Sequence, residues 1–408
     1  MLRYELEKVF LKAGGKIALF ILFILVGITG YFATNVFYVD ENGDEQTGPA
    51  AVRELRAVQK EWAGYLEEEK IRRVIAENRK IRRSPEALSD DVVKNNIAYG
   101  WGQGIMEIRD LLNCSYREHF REYDYYRADS LSEEDALAFY TNRVSSLEEW
   151  LQEEAKDMFS EKEKEFLINR YRQIQTPFYY DYMEGWMRLF EFSPTIIMIT
   201  MLVLGYLVAG IFSNEFVWKS DAVLFSSKYG RNKAVAAKIG AGFWIVTAVY
   251  WCAVLAYSAI TLLYLGADGM NCPVQADMSG WKCFYHITVW QKYLLTIGGG
   301  YIGCLFISFF SMLVSAKTKS TVLAVMVPVV LIFIPSFLAN INSAAVSKIL
   351  SLLPDQLLQM EAALNYFSVY TIGGKVVGAV PIVLTVYTAL VVAMGPVIYR
   401  EYRRKTFV

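Results

Sequence analysis

The sequence predicts an all-α membrane protein with six transmembrane helices and a large extracellular α-helical domain between the first and the second. Hydrophobic residues make up 54% of the 408 residues and charged residues only 20%, whereas soluble chains average about 25% charged. The charges are also unevenly distributed. Residues 38–192 carry 22 Lys and Arg against 33 Asp and Glu, and the remainder carries 19 against 9. This pattern excludes a wholly soluble enzyme, a disordered chain and a nucleic-acid-binding protein with a basic face.

Six apolar stretches are long enough to cross the hydrocarbon core, which takes about 20 residues. None of them contains Lys, Arg, Asp, Glu or His, and they cover residues 17–36, 193–212, 239–265, 293–314, 321–338 and 376–398. The first is longer than the apolar region of a cleavable signal peptide, and no small-residue cleavage pattern follows it. We therefore expect a retained signal-anchor.

Basic residues near the span ends predict the orientation, because cytoplasmic loops are enriched in Lys and Arg. One side has fifteen of them: Arg3, Lys8, Lys12, Lys16, Lys219, Lys228, Arg231, Lys233, Lys238, Lys317, Lys319, Arg400, Arg403, Arg404 and Lys405. The opposite short loops have four: Lys282, Lys292, Lys348 and Lys375. Both termini are therefore expected in the cytoplasm.

The spans divide the chain into three parts. Residues 1–37 form an amphipathic N-terminus and the first helix, residues 38–192 the extracellular domain, and residues 193–408 the other five helices. This last part has a cytoplasmic loop at 213–238 and external loops at 266–292 and 339–375. Helix start signals at Ser132 to Asp135 and Ser160 to Glu163 indicate that the extracellular domain is helical, with long antiparallel helices.

Aromatic residues crowd the stretch before the second span. They are Tyr179, Tyr180, Tyr182, Trp186 and Phe190. Such a cluster is typical of an aromatic belt at the lipid–water interface. The alternative is a hydrophobic gate or docking surface for an amphipathic substrate.

Two of the five cysteines, Cys272 and Cys283, fall in one external loop. An oxidising compartment is compatible with a disulfide between them, and two free thiols are the alternative. Cys114 is left in the external domain, where a buried thiol is expected.

Catalytic and ligand-binding motifs are missing from the sequence. There is no phosphate-binding loop and no nucleophile elbow. The only histidines are His119 and His286, which leaves no credible metal cluster. Ion-driven transporters need ionisable groups at membrane depth, and the six stretches have none. Any energy for transport is therefore expected to come from outside the chain.

The loop at 213–238 carries the most specific pattern. Glu215 follows the second span, Leu224 lies in a short helical segment, and Arg231 and Lys238 lead into the third span. These residues resemble the first cytoplasmic loop of ABC-2-type permeases, the membrane subunits of ABC exporters. Lys219 stands where that family usually has Gly, and residues 228–230 replace its usual Pro-x-Ser. The resemblance covers residues 1–37 and 193–408; the external domain is similar to inserts of some bacterial members.

The resemblance implies a permease subunit of a bacterial ABC exporter, located in the plasma membrane as a multi-pass protein. Two permeases, identical or paralogous, would assemble with two ATPase subunits that bind ATP and Mg. This chain would then have no catalytic residue, metal or cofactor of its own and no nucleic-acid partner, and would contact membrane lipids. Its substrate stays open between peptide antibiotics, drugs, lipids and ions. The alternative function is a non-transporting receptor or scaffold whose external domain binds a partner.

In the loop, Val217, Trp218 and Leu224 are the candidates to enter a hydrophobic groove of the ATPase, with Glu215, Arg231 and Lys238 supplying charged contacts. The competing interpretation is an interfacial helix resting on lipid headgroups.

Two pairs of glycines have the spacing of small-residue helix contacts. They are Gly299 with Gly303 and Gly374 with Gly378. Each pair is compatible with contact between subunits or with packing inside one subunit.

Overall fold

The computed structural model of the chain describes residues 1–338 and 344–404. Residues 339–343 of the predicted external loop and Lys405 of the predicted basic C-terminus lie outside the described residues. The N-terminal segment folds into a short amphipathic helix, α1 (Leu2–Phe10), and a longer apolar helix, α2 (Ala13–Ala33).

Residues 34–183, called the insert below, separate α2 from the next membrane-length helix. The insert contains α3 (Gly48–Lys60), α4 (Glu68–Arg82), α5 (Val92–Gly102), α6 (Met106–Ser115), α7 (Phe139–Gln152) and α8 (Glu161–Arg172). Two short antiparallel sheets pair β1 (Phe37–Val39) with β2 (Glu45–Thr47) and β3 (Gly64–Tyr65) with β4 (Tyr179–Tyr180).

The helical character of this region is confirmed, and so are both predicted start signals. Asp135 accepts a hydrogen bond from the backbone N–H of Ser132, and Glu163 accepts one from that of Ser160. The expected length was wrong, because the longest helix of the insert, α4, has 15 residues. Loops and two short strand pairs separate the helices of the insert, so each helix is short although the sequence is charged and favours helix.

The remaining chain is mostly long helices. It comprises α9 (Glu184–Val217), α10 (Asp221–Ser226), α11 (Lys233–Leu265), α12 (Val289–Thr318), α13 (Thr321–Leu338), α14 (Ala344–Leu350), α15 (Asp355–Leu358), α16 (Met360–Asn365), β5 (Val369–Ile372), β6 (Lys375–Gly378) and α17 (Ala379–Arg403). The strands β5 and β6 form a hairpin, so α17 begins three residues later than the predicted span.

Within residues 1–338 and 344–404, six helices are long and apolar enough to cross a membrane. They are α2, α9, α11, α12, α13 and α17, which confirms the predicted number and positions. The helices α9 and α12 are the most buried of the six, and α9 packs against α2, α11, α12 and α13. The bundle is therefore built around α9 and α12.

The bundle has two ends, which we call the termini face and the insert face. Contacts define the termini face: Phe212 packs on Tyr402 with ring centroids 4.7 Å apart, and the start of α13 approaches the end of α9, where Ser213 and Thr321 share a hydrogen bond. At the insert face, Asp268 of the α11–α12 loop forms ion pairs with Arg56 and Lys60 of the insert. The insert therefore lies against the end of the bundle opposite to α10.

Candidate functional site

The candidate site is the α9–α11 loop (residues 218–232, including α10) together with the helix ends that hold it. Two residues after the end of α9, Lys219 has a backbone φ of 55°. This left-handed conformation is one that glycine adopts without steric cost, and it turns the chain into α10. Lys219 stands where ABC-2-type permeases usually have Gly, and its backbone keeps the conformation that favours glycine.

A buried ion network lies behind the loop. The side chain of Lys238, at the start of α11, is only 1% exposed. Its ammonium donates hydrogen bonds to Glu215 (2.9 Å), to Glu5 (3.1 Å) and to the backbone carbonyl of Ile211 (2.8 Å). An ammonium has three protons to donate, so all of its hydrogen-bonding capacity is used.

Glu215 is the central member of this network. One carboxylate oxygen accepts hydrogen bonds from Lys238 and from Lys8 of α1 (3.0 Å), and the other accepts one from the hydroxyl of Ser220 in the loop (2.7 Å). One buried carboxylate therefore joins α9, α11, α1 and the loop. The structure brings together the two predicted residues Glu215 and Lys238.

The α1 members of the network, Glu5 and Lys8, were missed by sequence reasoning. They lie one turn apart and form an ion pair of 3.0 Å with each other. Burial lowers the pKa of Lys8, but the Glu5 and Glu215 carboxylates outweigh that effect and raise the pKa above its ordinary value. The spacing of Glu5 and Lys8 shows only that both residues share one face of α1. Nothing in the sequence of α1 indicates that their partners lie more than 200 residues away.

Three apolar side chains are exposed at the outer surface of the loop and the adjoining end of α9. Trp218 is 50% exposed and Val223 is 73% exposed, and Val217 is exposed beside them. Leu224, a predicted anchor, is half-buried against the protein's own core. Because Val223 and Leu224 are neighbours on one helical turn, turning Leu224 inward exposes Val223, which sequence reasoning did not select.

The inner surface of the loop is fixed by aromatic contacts. Phe225 of α10 is buried and packs 5.3 Å from Tyr402 of α17, measured between ring centroids. The guanidinium of Arg231, another predicted residue, lies 5.5 Å from the Phe225 ring. The loop is thus attached to α17 as well as to α1, α9 and α11.

The predicted possible disulfide is not formed. Cys272 and Cys283 are both buried free thiols. Cys272 packs in the largest core cluster, whereas Cys283 packs in a separate cluster with Val274 and Leu357. The two side chains therefore occupy different parts of the core. Cys114 is a buried thiol, as expected.

The four glycines do not form two equivalent pairs. Gly299 and Gly303 pack within the subunit, since a Cβ at Gly303 would lie 2.9 Å from Leu358 of α15. Gly374 lies in the turn between β5 and β6 with φ of 81°, and Gly378 precedes α17 against Tyr285. The expectation of a helix-packing pair at 374 and 378 was wrong, because the segment forms a hairpin instead of a helix.

Most of the predicted aromatic cluster is buried. Tyr180, Tyr182, Trp186 and Phe190 are within the core, and only Tyr179 is exposed. Trp186 contacts Tyr293 of α12, with ring centroids 5.5 Å apart, and donates a hydrogen bond to a backbone carbonyl of the α11–α12 loop. A lipid-facing belt does not describe the four buried rings. A gate role for these rings stays a prediction.

Ionisable residues also lie beside the membrane-length helices, although the six predicted stretches contain none. Asp355 begins α15 and is 4% exposed, and its Oδ1 has no hydrogen-bond partner in the described part of the chain. Lys292 of α12 forms a buried ion pair of 2.7 Å with Glu361 of α16. Asp355 and Glu361 lie outside the six stretches, and α15 and α16 bring these two carboxylates to the bundle.

Comparison of the chain with protein-family models, with curated proteins and with solved structures gives no match. The resemblance to ABC-2-type permeases therefore rests on the residues of the loop and on the plan of six spans. The contacts of Glu215, Lys238 and the exposed loop surface are the features of the site from which a function can be argued.

Proposed function

We propose that the chain is the membrane-spanning permease subunit of an ATP-driven exporter, with ATP hydrolysed by a separate subunit that docks on the α9–α11 loop. One observation carries this proposal: the Glu215 carboxylate is bonded to α1, α11 and the loop at once. Breaking a buried ion pair by removing one partner costs about 3–5 kcal/mol. A displacement of the loop is therefore passed on to these helices, as a coupling element requires.

The exposed face of the loop supports docking of a partner. Val217, Trp218 and Val223 are exposed and apolar, and Trp is one of the residues enriched among interface hot spots. The buried Phe225 holds the opposite face of α10 against the protein's own bundle. Such a helix presents one face to a partner and keeps its position through the other.

The remaining features of the proposal follow from the charge distribution and from the resemblance. The fifteen basic residues predicted on one side favour a cytoplasmic location of both termini and of the loop in a bacterial plasma membrane. Two permeases, identical or paralogous, would assemble with two ATPases that hold ATP and Mg. The substrate would be a peptide antibiotic, a drug, a lipid or an ion.

The decisive experiment measures how loop variants bind the ATPase that co-purifies with the chain. We expect Trp218→Ala to weaken its binding about 5- to 30-fold, which corresponds to about 1–2 kcal/mol for a hot-spot residue. Val223→Ala should weaken it less, because it removes a smaller apolar side chain. Lys233→Ala is the control, because exposed charges contribute about 0–1 kcal/mol. Binding by all three variants at the wild-type level would show that the loop is not a docking site.

One observation favours the alternative of a receptor or scaffold. Leu88, Val92 and Val93 are exposed apolar residues within six positions of the insert, where a partner can bind. The purified chain distinguishes the two functions. A receptor would be isolated without any ATPase, and loss of Leu88 and Val92 would remove its partner while loss of Trp218 would not.

A further inference from the structure

A cavity of about 220 Å³ opens beside the ion network, between the α1–α2 connection and α9. It is far larger than the roughly 10–15 Å³ that admits one water molecule. Its polar lining includes Lys8, Lys12, Tyr206, Asn214 and Lys238, and Trp218 forms one wall.

The position of the cavity relates it to the membrane. Gly14 and Gly15 line it at the first turn of α2, where they pack against Tyr206 and Leu207 of α9. The helix α2 is membrane-length, so the cavity opens at the level where a span leaves the hydrocarbon. Tyr and Trp side chains such as Tyr206 and Trp218 favour this headgroup level.

The charges around the cavity do not balance. Three ammonium groups (Lys8, Lys12 and Lys238) face two carboxylates (Glu5 and Glu215). Lys8 and Lys238 are paired with both carboxylates. Lys12 lies 4.0 Å from the centre of the Trp218 ring, and within the described residues no carboxylate pairs with it.

The surroundings of Lys12 add to this imbalance. Burial lowers the pKa of Lys12, and the positive charges of Lys8 and Lys238 lower it further against the opposing effect of Glu215 and Glu5. An anion in the cavity would relieve this repulsion. The hydroxyl of Tyr206, which also lines the cavity, can donate a hydrogen bond to such an anion.

We propose that this cavity binds the phosphate headgroup of an anionic membrane phospholipid, with the ammonium of Lys12 as its main contact and that of Lys8 as its second. The acyl chains would lie along α2 and α9 in the hydrocarbon. This inference requires the chain to lie in a membrane and does not depend on an ATPase partner.

The test uses the full chain in nanodiscs of phosphatidylcholine with or without phosphatidylglycerol, and native mass spectrometry to count the retained lipids. Wild type should retain phosphatidylglycerol in preference to phosphatidylcholine. Lys12→Gln should reduce this preference about fivefold, the contribution of about one basic residue near an anionic surface, and Lys12→Arg should keep it. The matched control is Lys16→Gln, which removes the same charge from an exposed lysine four residues away that does not line the cavity.

Equal losses in Lys12→Gln and Lys16→Gln would overturn the proposal, because they would reflect only the general attraction of a basic surface. So would the absence of any phosphatidylglycerol preference in wild type. Inorganic phosphate and glycerol phosphate, added in excess, distinguish the source of the anion. Failure of both to displace the retained lipid supports a lipid ligand, whereas tight binding of inorganic phosphate without lipid retention overturns it.

Discussion

Lys219 adopts a backbone conformation that costs a side-chain-bearing residue about 1–2 kcal/mol relative to glycine. Its φ is 55°, and it lies two residues after the end of α9, within the loop of the candidate site. We therefore expect Lys219→Gly to raise the unfolding temperature of the detergent-solubilised chain, and Lys219→Val to lower it, because a β-branched residue is least compatible with positive φ. Unfolding temperatures that rise in the order Val, Lys and Gly at position 219 would agree with this expectation. Equal values for all three would contradict the left-handed turn.

The pairing of Glu215 with Lys238 gives a second prediction about single residues. Glu215→Gln leaves the buried ammonium of Lys238 with one carboxylate fewer, and we expect a loss of about 3–5 kcal/mol in unfolding free energy. The double variant Glu215→Gln with Lys238→Gln should be less destabilised than the sum of the two single variants, because it removes both buried charges. Thermal unfolding of the four proteins measures this coupling. Additive losses would show that the two groups do not interact.

Sequence alone could predict half of this ion network. Glu215 and Lys238 stand at the two ends of one loop, so a local pattern identifies both. Glu5 reaches Lys238 across 233 positions and Lys8 reaches Glu215 across 207. Only packing of α1 against α9 and α11 brings these residues together, and their periodicity within α1 is equally compatible with a helix lying on a membrane surface.

Long elements of the fold could be predicted from the sequence, and short ones could not. The six membrane-length helices follow from hydropathy, since each carries its own signal over 18 or more residues. The helices α15 and α16 have four and six residues, which is too short for a periodic signal. They are held by packing against Gly299 and Gly303 of α12, and this placement brings Asp355 and Glu361 to the bundle.

The packing of α15 on α12 predicts a position-specific effect of substitution. A Cβ at Gly303 would lie 2.9 Å from Leu358 and 3.0 Å from Leu357, whereas a Cβ at Gly298 on the same helix meets nothing within 4 Å. We expect Gly303→Ala to lower the unfolding temperature. Gly298→Ala should leave it unchanged or raise it, because Ala is favoured over Gly in helices by about 1 kcal/mol. Equal effects at the two positions would show that α15 does not rest on Gly303.

At the scale of the whole molecule, the insert is fixed to the bundle at two loops. Arg143 of α7 is buried and donates hydrogen bonds to the carbonyls of Trp281 (2.9 Å) and Cys283 (3.3 Å) in the α11–α12 loop. Glu163 of α8 accepts a hydrogen bond from Lys348 of α14 (2.9 Å). The sequence predicted a separate domain because its composition changes at residues 38 and 192. It could not predict this attachment, which depends on carbonyls and ion pairs distant in sequence.

The attachment means that the insert and both loops must lie on the same side of a membrane, with the α9–α11 loop on the other. The charge distribution predicts that the insert lies outside, because fifteen basic residues are predicted at the opposite side and long domains cross largely regardless of their own charge. Single cysteines at Glu68 or Glu153, both exposed in the insert, should therefore react with an impermeant maleimide in intact cells. A cysteine at the exposed Lys228 of the loop should react only after lysis. Cys252 is the only one of the five native thiols that is exposed. The single cysteines are therefore introduced into the Cys252→Ala variant, and labelling of that variant alone gives the background. Labelling at Lys228 in intact cells, with none at Glu68 or Glu153, would reverse the topology and make the α9–α11 loop inaccessible to a cytoplasmic ATPase.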